Sequence, residues 1–164
     1  IDGSGIGILE HSHRGGVVDR VFEETQAACR RVGGIPDDFE VLFLQGGASM
    51  QFAMIPMAFL REGDTADHLH TGAWTKRAVA DARLVGDVHV AWDGTECDFR
   101  RVPEAGEPDW SDNPALCAYC SNNTIYGTRF NEAPDAPAPL IADMSSEMFS
   151  RPRGSFLNTS TPAS

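Results

Sequence analysis

Two glycines and two small residues, Gly46-Gly47-Ala48-Ser49, directly follow the mostly apolar run Glu40 to Gln45. A turn of this kind aims several backbone N–H groups at one spot. A helix starting there adds the positive end of its dipole, a setting for a phosphate or a carboxylate. The segment has neither the Gly-Lys-Ser/Thr of a nucleotide-phosphate loop nor the glycine spacing of a dinucleotide fold. It is equally an ordinary tight turn with Ser49 as a helix N-cap. Asp143 ends the apolar run Leu140-Ile141-Ala142, at the strand end where α/β folds place ligands. A carboxylate there pairs with a cationic ring nitrogen or a metal, or else caps the next helix, with Glu147 and Ser145 following it. Trp74 stands after Thr71-Gly72-Ala73, where an indole either stacks on a planar ligand or joins the core.

Other reactive residues carry less. Cys117-Ala118-Tyr119-Cys120 has the spacing of a zinc or redox pair, but no second pair accompanies it and the segment reads as a buried strand. His11/His13 and His68/His70 each place two imidazoles on one side of a strand without an evident third ligand, so no metal is expected. His13-Arg14 suits an anion clamp, because a guanidinium binds a carboxylate or phosphate through two parallel bonds; a plain surface arginine is the alternative. The sequons at Asn122 and Asn158 have no export signal to make them meaningful. Lys76 is the single lysine of the sequence, which limits any chemistry that needs an amine.

Periodicity supplies the elements that position these residues. Val17 to Val32 has the apolar spacing of an amphipathic helix, stopped by Gly33-Gly34. A strand is expected over Glu40 to Gln45, and a helix over Met50 to Leu60 that Pro56 deprives of one donor. Then follow a strand at Asp67 to Thr71, a helix at Ala73 to Leu84 and a strand at Asp87 to Trp92. Residues 93–115 read as loop, Leu116 to Cys120 as a strand, and Ala133 to Pro139 as a stiff connector before the strand ending at Asp143. This alternation predicts an α/β domain with a largely parallel sheet.

The composition excludes several classes of function. Thirteen Lys+Arg against 24 Asp+Glu give a net charge of −11 over 164 residues, which argues against nucleic acid or an anionic membrane as partner. No apolar run approaches the roughly 18–20 residues of a membrane span. Free cysteines and the lack of a leader segment suggest a cytoplasmic protein.

Five segments occur together in one order: Glu10 to Arg14 (EHSHR), Val41 to Ile55 (VLFLQGGASMQFAMI), Thr71 to Ala78 (TGAWTKRA), Ser121 to Thr128 (SNNTIYGT) and Ala142 to Pro152 (ADMSSEMFSRP). Jointly they resemble the phosphoserine aminotransferases, pyridoxal-phosphate enzymes of fold type I and of class V among aminotransferases. The SNNTIYGT and GGAS–QF segments separate this family from alanine–glyoxylate aminotransferases and cysteine desulfurases. The resemblance implies the three-layer α/β large domain of that fold type, incomplete in this chain. Residues 1–152 would form part of the cofactor-binding large domain, with a divergent tail at 153–164 and no C-terminal small domain.

The resemblance also implies roles. Ala48 and Ser49 would hold the phosphate of pyridoxal 5'-phosphate, Trp74 would stack on its ring, Asp143 would pair with the ring nitrogen, and Thr124 would hydrogen-bond it. His13 and Arg14 would hold an anionic end of the substrate. The implied reaction moves an amino group between glutamate and 3-phosphohydroxypyruvate, giving 2-oxoglutarate and phosphoserine for serine biosynthesis, in a homodimer. The family's Schiff-base lysine has no counterpart here, since Lys76 does not match it and reads as a solvated helix residue. The 164-residue chain is therefore expected to be catalytically silent and, with its sheet cut short, poorly soluble. The alternative reading is a non-catalytic domain that binds an anion or the cofactor.

Overall fold

A computed structural model describes residue 1 and residues 3–150; the expected tail at 153–164 and the Asn158 sequon lie outside the described residues. The chain divides into two compact units, Ile1–Phe43 and a second one from Leu44 on.

In the first unit, helix α1 (Gly16–Gly33) runs one residue further at each end than its apolar spacing indicates. It stops because Gly34 takes a left-handed conformation, φ 59°, and returns its N–H to Arg30 O, a reversal that costs glycine nothing. The strand expected at Glu40 to Gln45 does not form. A strand needs neighbours for its N–H and C=O groups, and Val41 O instead accepts from the side chain of Gln26 at 2.9 Å. Leu42 is 68% exposed, and Phe43 rests on Phe22 with ring centroids 5.5 Å apart.

The second unit opens on helix α2 (Gly47–Phe59). Its turn begins earlier than expected because Gly46 and Gly47, at φ 92° and 57°, supply the left-handed steps. The N-cap is therefore Gly46 and not Ser49, which lies inside the first turn. Strand β1 (Thr65–His70), helix α3 (Ala73–Ala82) and strand β2 (Asp87–Asp93) follow, then β3 (Leu116–Cys120), the short hairpin strands β4 (Asn122–Asn123) and β5 (Thr128–Arg129), and β6 (Leu140–Asp143). The main sheet has the order β2-β1-β3-β6, and all its pairings are parallel.

Burial explains the strand sequences. Leu69 and Tyr119 face a core with Ala91 and Phe130, against which Trp92, Val102, Trp110 and Leu140 pack. On β1, Asp67 is fully buried. Its carboxylate accepts from Ser111 N at 2.6 Å and Ser111 Oγ at 2.7 Å, bonds that offset the cost of taking a charge out of water. Cys117 and Cys120 are both buried on β3 as free thiols, as the strand reading of that segment requires. Among the described residues, no helix is long and apolar enough to cross a membrane.

Candidate functional site

Three neighbouring strand ends and one helix start converge at the carboxyl edge of the sheet. Gly46, Gly47, Ala48 and Ser49 from the turn into α2, Trp74 from α3, Thr124 from the β4–β5 turn and Asp143 from β6 line one cavity of about 410 Å³. These residues are spread from position 46 to position 143, and each has a separate structural reason to be there.

The N–H groups of the first turn of α2 have no carbonyl within their own helix to receive them. Met50 N closes the turn on Gly46 O at 3.3 Å. The N-cap Gly46 has no side chain to cap this end, Gly46 to Ser49 line the cavity, and a helix start of these residue types suits an anion.

Trp74 is set by the turn before it. The hydroxyl of Thr75 accepts from Thr71 N at 2.9 Å and Gly72 N at 3.0 Å and donates to Gly72 O. Thr71 Oγ1 donates to Asn123 Oδ1 at 3.1 Å, which ties this turn to the hairpin that carries Thr124. Across the gap, Trp74 Nε1 donates to Thr124 Oγ1 at 3.3 Å. An indole N–H only donates, so the Thr124 oxygen is the acceptor and its own proton is left to donate elsewhere. Trp74 is 41% exposed and lines the cavity, so the indole does not join the core.

Asp143 is register partner to Cys120 in the β3–β6 ladder. Ser145 donates to Asp143 Oδ1 twice, from its N at 3.0 Å and its Oγ at 2.6 Å, so the carboxylate is fixed along one edge. The Asp143–Ser145 turn does what a cap would do, yet no helix follows among the described residues.

Several lining residues were not among those expected to hold a ligand: Phe52, Cys120, Asn122, Ser145 and Ser146. Asn122 Nδ2 donates to Ser146 Oγ at 2.9 Å, closing the wall beside Asp143. The signal for Asn122 and Ser145 was their nearness in sequence to Thr124 and Asp143. Cys120 signalled only through its spacing from Cys117 and its strand. Burial, with the Asp143 charge next, pushes its thiol up to about 11, and burial with Asp67 does the same to Cys117. Both are protonated at neutral pH and are poor nucleophiles. Among the described residues no cluster of three or more His, Cys, Asp or Glu could hold a metal.

A second cavity of about 430 Å³ adjoins the first between α2, α3 and the sheet, and it is mainly apolar, with Ile55, Ala78, Leu116 and Ala118 in its wall beside His68. The single lysine, Lys76, is an exposed residue of α3 and lines neither cavity. His13 and Arg14 are exposed residues of the first unit, in the turn ahead of α1.

Comparison with known proteins points to one family. The family model described as aminotransferase class-V matches residues 2–152. A curated phosphoserine aminotransferase of Niallia circulans is 46% identical over 150 residues, covering 91% of this chain and 41% of that protein. One from Desulfotalea psychrophila is 43% identical over 148 residues, covering 90% and 41%. Among solved structures, the phosphoserine aminotransferase from Bacillus circulans subsp. alkalophilus superposes with a TM-score of 0.86 at 45% identity, covering 92% of this chain and 42% of that one. The PLP-bound phosphoserine aminotransferase from Trichomonas vaginalis gives a TM-score of 0.76 at 34% identity, over 86% of this chain and 40% of that one. The chain thus spans about two-fifths of the length of the curated relatives it matches.

Proposed function

The chain belongs to the aminotransferase class-V family, and from that premise we propose that it is the cofactor-holding part of a pyridoxal-phosphate-dependent phosphoserine aminotransferase. The observation that carries this reading is the convergence of Ala48, Ser49, Trp74, Thr124 and Asp143 on one cavity. The donor set suits the cofactor's three chemical faces: a helix start for a dianionic phosphate, an indole for an aromatic ring, and a carboxylate for a protonated ring nitrogen.

Bound there, pyridoxal phosphate supplies an electron sink that lets an amino group leave one carbon skeleton and join another. The chain's own residues do the holding. The N–H groups of Ala48 and Ser49, with the Ser49 hydroxyl, receive the phosphate. Trp74 covers one face of the ring, and the bond to Thr124 keeps the indole from rotating away. Thr124 directs its remaining proton to a ring substituent. Asp143, braced by Ser145, holds a proton on the ring nitrogen by placing a negative charge against it.

His13 and Arg14 form the anion clamp for a carboxylate or phosphate of the substrate in this reading. The substrates are glutamate and 3-phosphohydroxypyruvate, the products 2-oxoglutarate and phosphoserine, and the whole enzyme is a cytoplasmic homodimer. The amine that forms the covalent link to the cofactor lies outside these 164 residues, since Lys76 is on a solvent-facing stretch of α3.

Titrating the chain with pyridoxal phosphate, followed by absorbance and by quenching of tryptophan fluorescence, tests the reading. Saturable one-to-one binding is expected, weakened at least about tenfold by Ser49→Asp, which sets a carboxylate against the phosphate, or by Asp143→Ala, which removes one charge-assisted contact. Absence of saturable binding, or binding indifferent to both substitutions, would contradict it.

A further inference from the structure

We infer that Phe99 is a positioning residue: it links a His70–Asp93 pair to Tyr126 and so fixes the Trp74–Thr124 wall of the cavity. The inference rests on the reading of that wall as a ring-binding surface.

The link begins at the ends of β1 and β2. A register shift between His68 and Leu69 brings His70 opposite Asp93, and His70 Nδ1 lies 3.0 Å from Asp93 Oδ1. Asp93 Oδ1 also accepts from Thr95 N at 3.0 Å and Thr95 Oγ1 at 2.8 Å, which winds the chain into the short turn Gly94–Cys97. The turn ends with Asp98 and Phe99 at φ 51° and 55°. A left-handed conformation is unfavourable for a bulky aromatic and persists only where the surroundings hold it.

The surroundings are visible. Phe99 N donates to Gly94 O at 2.8 Å, and a Cβ on Gly94 would come within 2.8 Å of the Phe99 ring, so only glycine admits it there. The ring meets His70 edge-on at 5.0 Å and Tyr126 at 4.7 Å. Tyr126 in turn lies against Gly72, where a Cβ would stand 3.0 Å from its ring.

Tyr126 is two residues beyond Thr124, and Gly72 two before Trp74. Gly127 N closes the intervening turn on Asn123 O at 2.8 Å. Through these contacts the conformation of Phe99 sets the distance between the hairpin and the start of α3. Neither Phe99 nor Tyr126 lines the cavity, so an effect on ligand binding must act through the wall.

The test uses Phe99→Ala, Phe99→Tyr and Tyr126→Ala, with pyridoxal phosphate and inorganic phosphate as separate probes. The indole N–H resonance of Trp74, assigned with Trp74→Phe, is read without ligand. Phe99→Ala and Tyr126→Ala are expected to weaken pyridoxal phosphate about tenfold, with inorganic phosphate unchanged within about twofold, and to move the Trp74 resonance. Phe99→Tyr restores all three readings. If Phe99→Ala does not fold, Tyr126→Ala decides the matter. Unchanged affinity with an unmoved resonance, or a parallel loss of inorganic phosphate binding, overturns the inference. Wild-type chain that fails to bind pyridoxal phosphate speaks against the proposed function, while the Trp74 resonance still decides the link.

Discussion

His68 sits in the middle of β1 at 4% exposure, and its Nε2 finds no hydrogen-bond partner among the described residues. Burial, only partly opposed by the Asp67 charge, lowers its pKa from 6.5 to about 4. The unfolded chain therefore binds a proton that the folded chain refuses. The stabilisation from keeping this imidazole neutral is fully present above pH 6.5 and is lost as the pH falls from 6.5 towards 4, for a total of about 3 kcal/mol. Urea midpoints at about pH 7.5 and about pH 4.5, on either side of the ordinary histidine pKa, should accordingly differ less in His68→Phe than in the wild type, and equal differences would contradict the assignment. Gly46 gives a second prediction at this scale. At φ 92° any side chain is strained, and a Cβ would come within 2.5 Å of Met50 Cβ. Gly46→Ala is expected to cost at least about 1–3 kcal/mol of stability and to weaken phosphate binding, by displacing the first turn of α2. The chemistry of Ser49, Trp74 and Asp143 was legible as residue types beside glycines and strand ends. Their individual alternatives were not separable, because an N-cap, an anion ligand and a core indole share the same local sequence. Their convergence on one cavity is what the local sequence could not show.

Among the elements, alternation of period identified the helices and the parallel strands to within a few residues. The segment 40–45 shows where such reasoning stops. Apolar composition marks a run that is buried in a sheet when partners flank it, but it cannot supply the partners, and Leu42 and Leu44 stand exposed. Helix α2 starts ahead of its expected position for a similar reason: glycine is visible in the sequence, but not that both glycines adopt positive φ. Asp67 gave no signal either, since its partner Ser111 lies 44 residues away in a loop. Removing that carboxylate by Asp67→Ala leaves the two part-buried donors of Ser111 without their acceptor and should cost about 1–3 kcal/mol. Because Asp67 lines neither cavity, the folded variant should retain pyridoxal phosphate affinity. A loss of affinity without a loss of stability would contradict this division of labour.

On the scale of the molecule, the joint order of five segments identified the family that the comparisons show, while the net charge only argued against polyanionic partners. What composition could not reveal is the arrangement around Phe99, which depends on a register shift and two left-handed residues. The lysine count has a direct consequence. With Lys76 exposed on α3 and away from the cavity, the cofactor should be released intact by dialysis. Borohydride treatment should leave no reduced adduct within the cavity; a stable adduct there would show that an amine reaches it after all. The most direct measurement is a crystal structure of the chain soaked with pyridoxal phosphate. The account predicts the phosphate at the N–H groups of Ala48 and Ser49, the ring on the face of Trp74 and its nitrogen against Asp143. A ligand bound elsewhere, or one seated with its ring nitrogen turned away from Asp143, would contradict it.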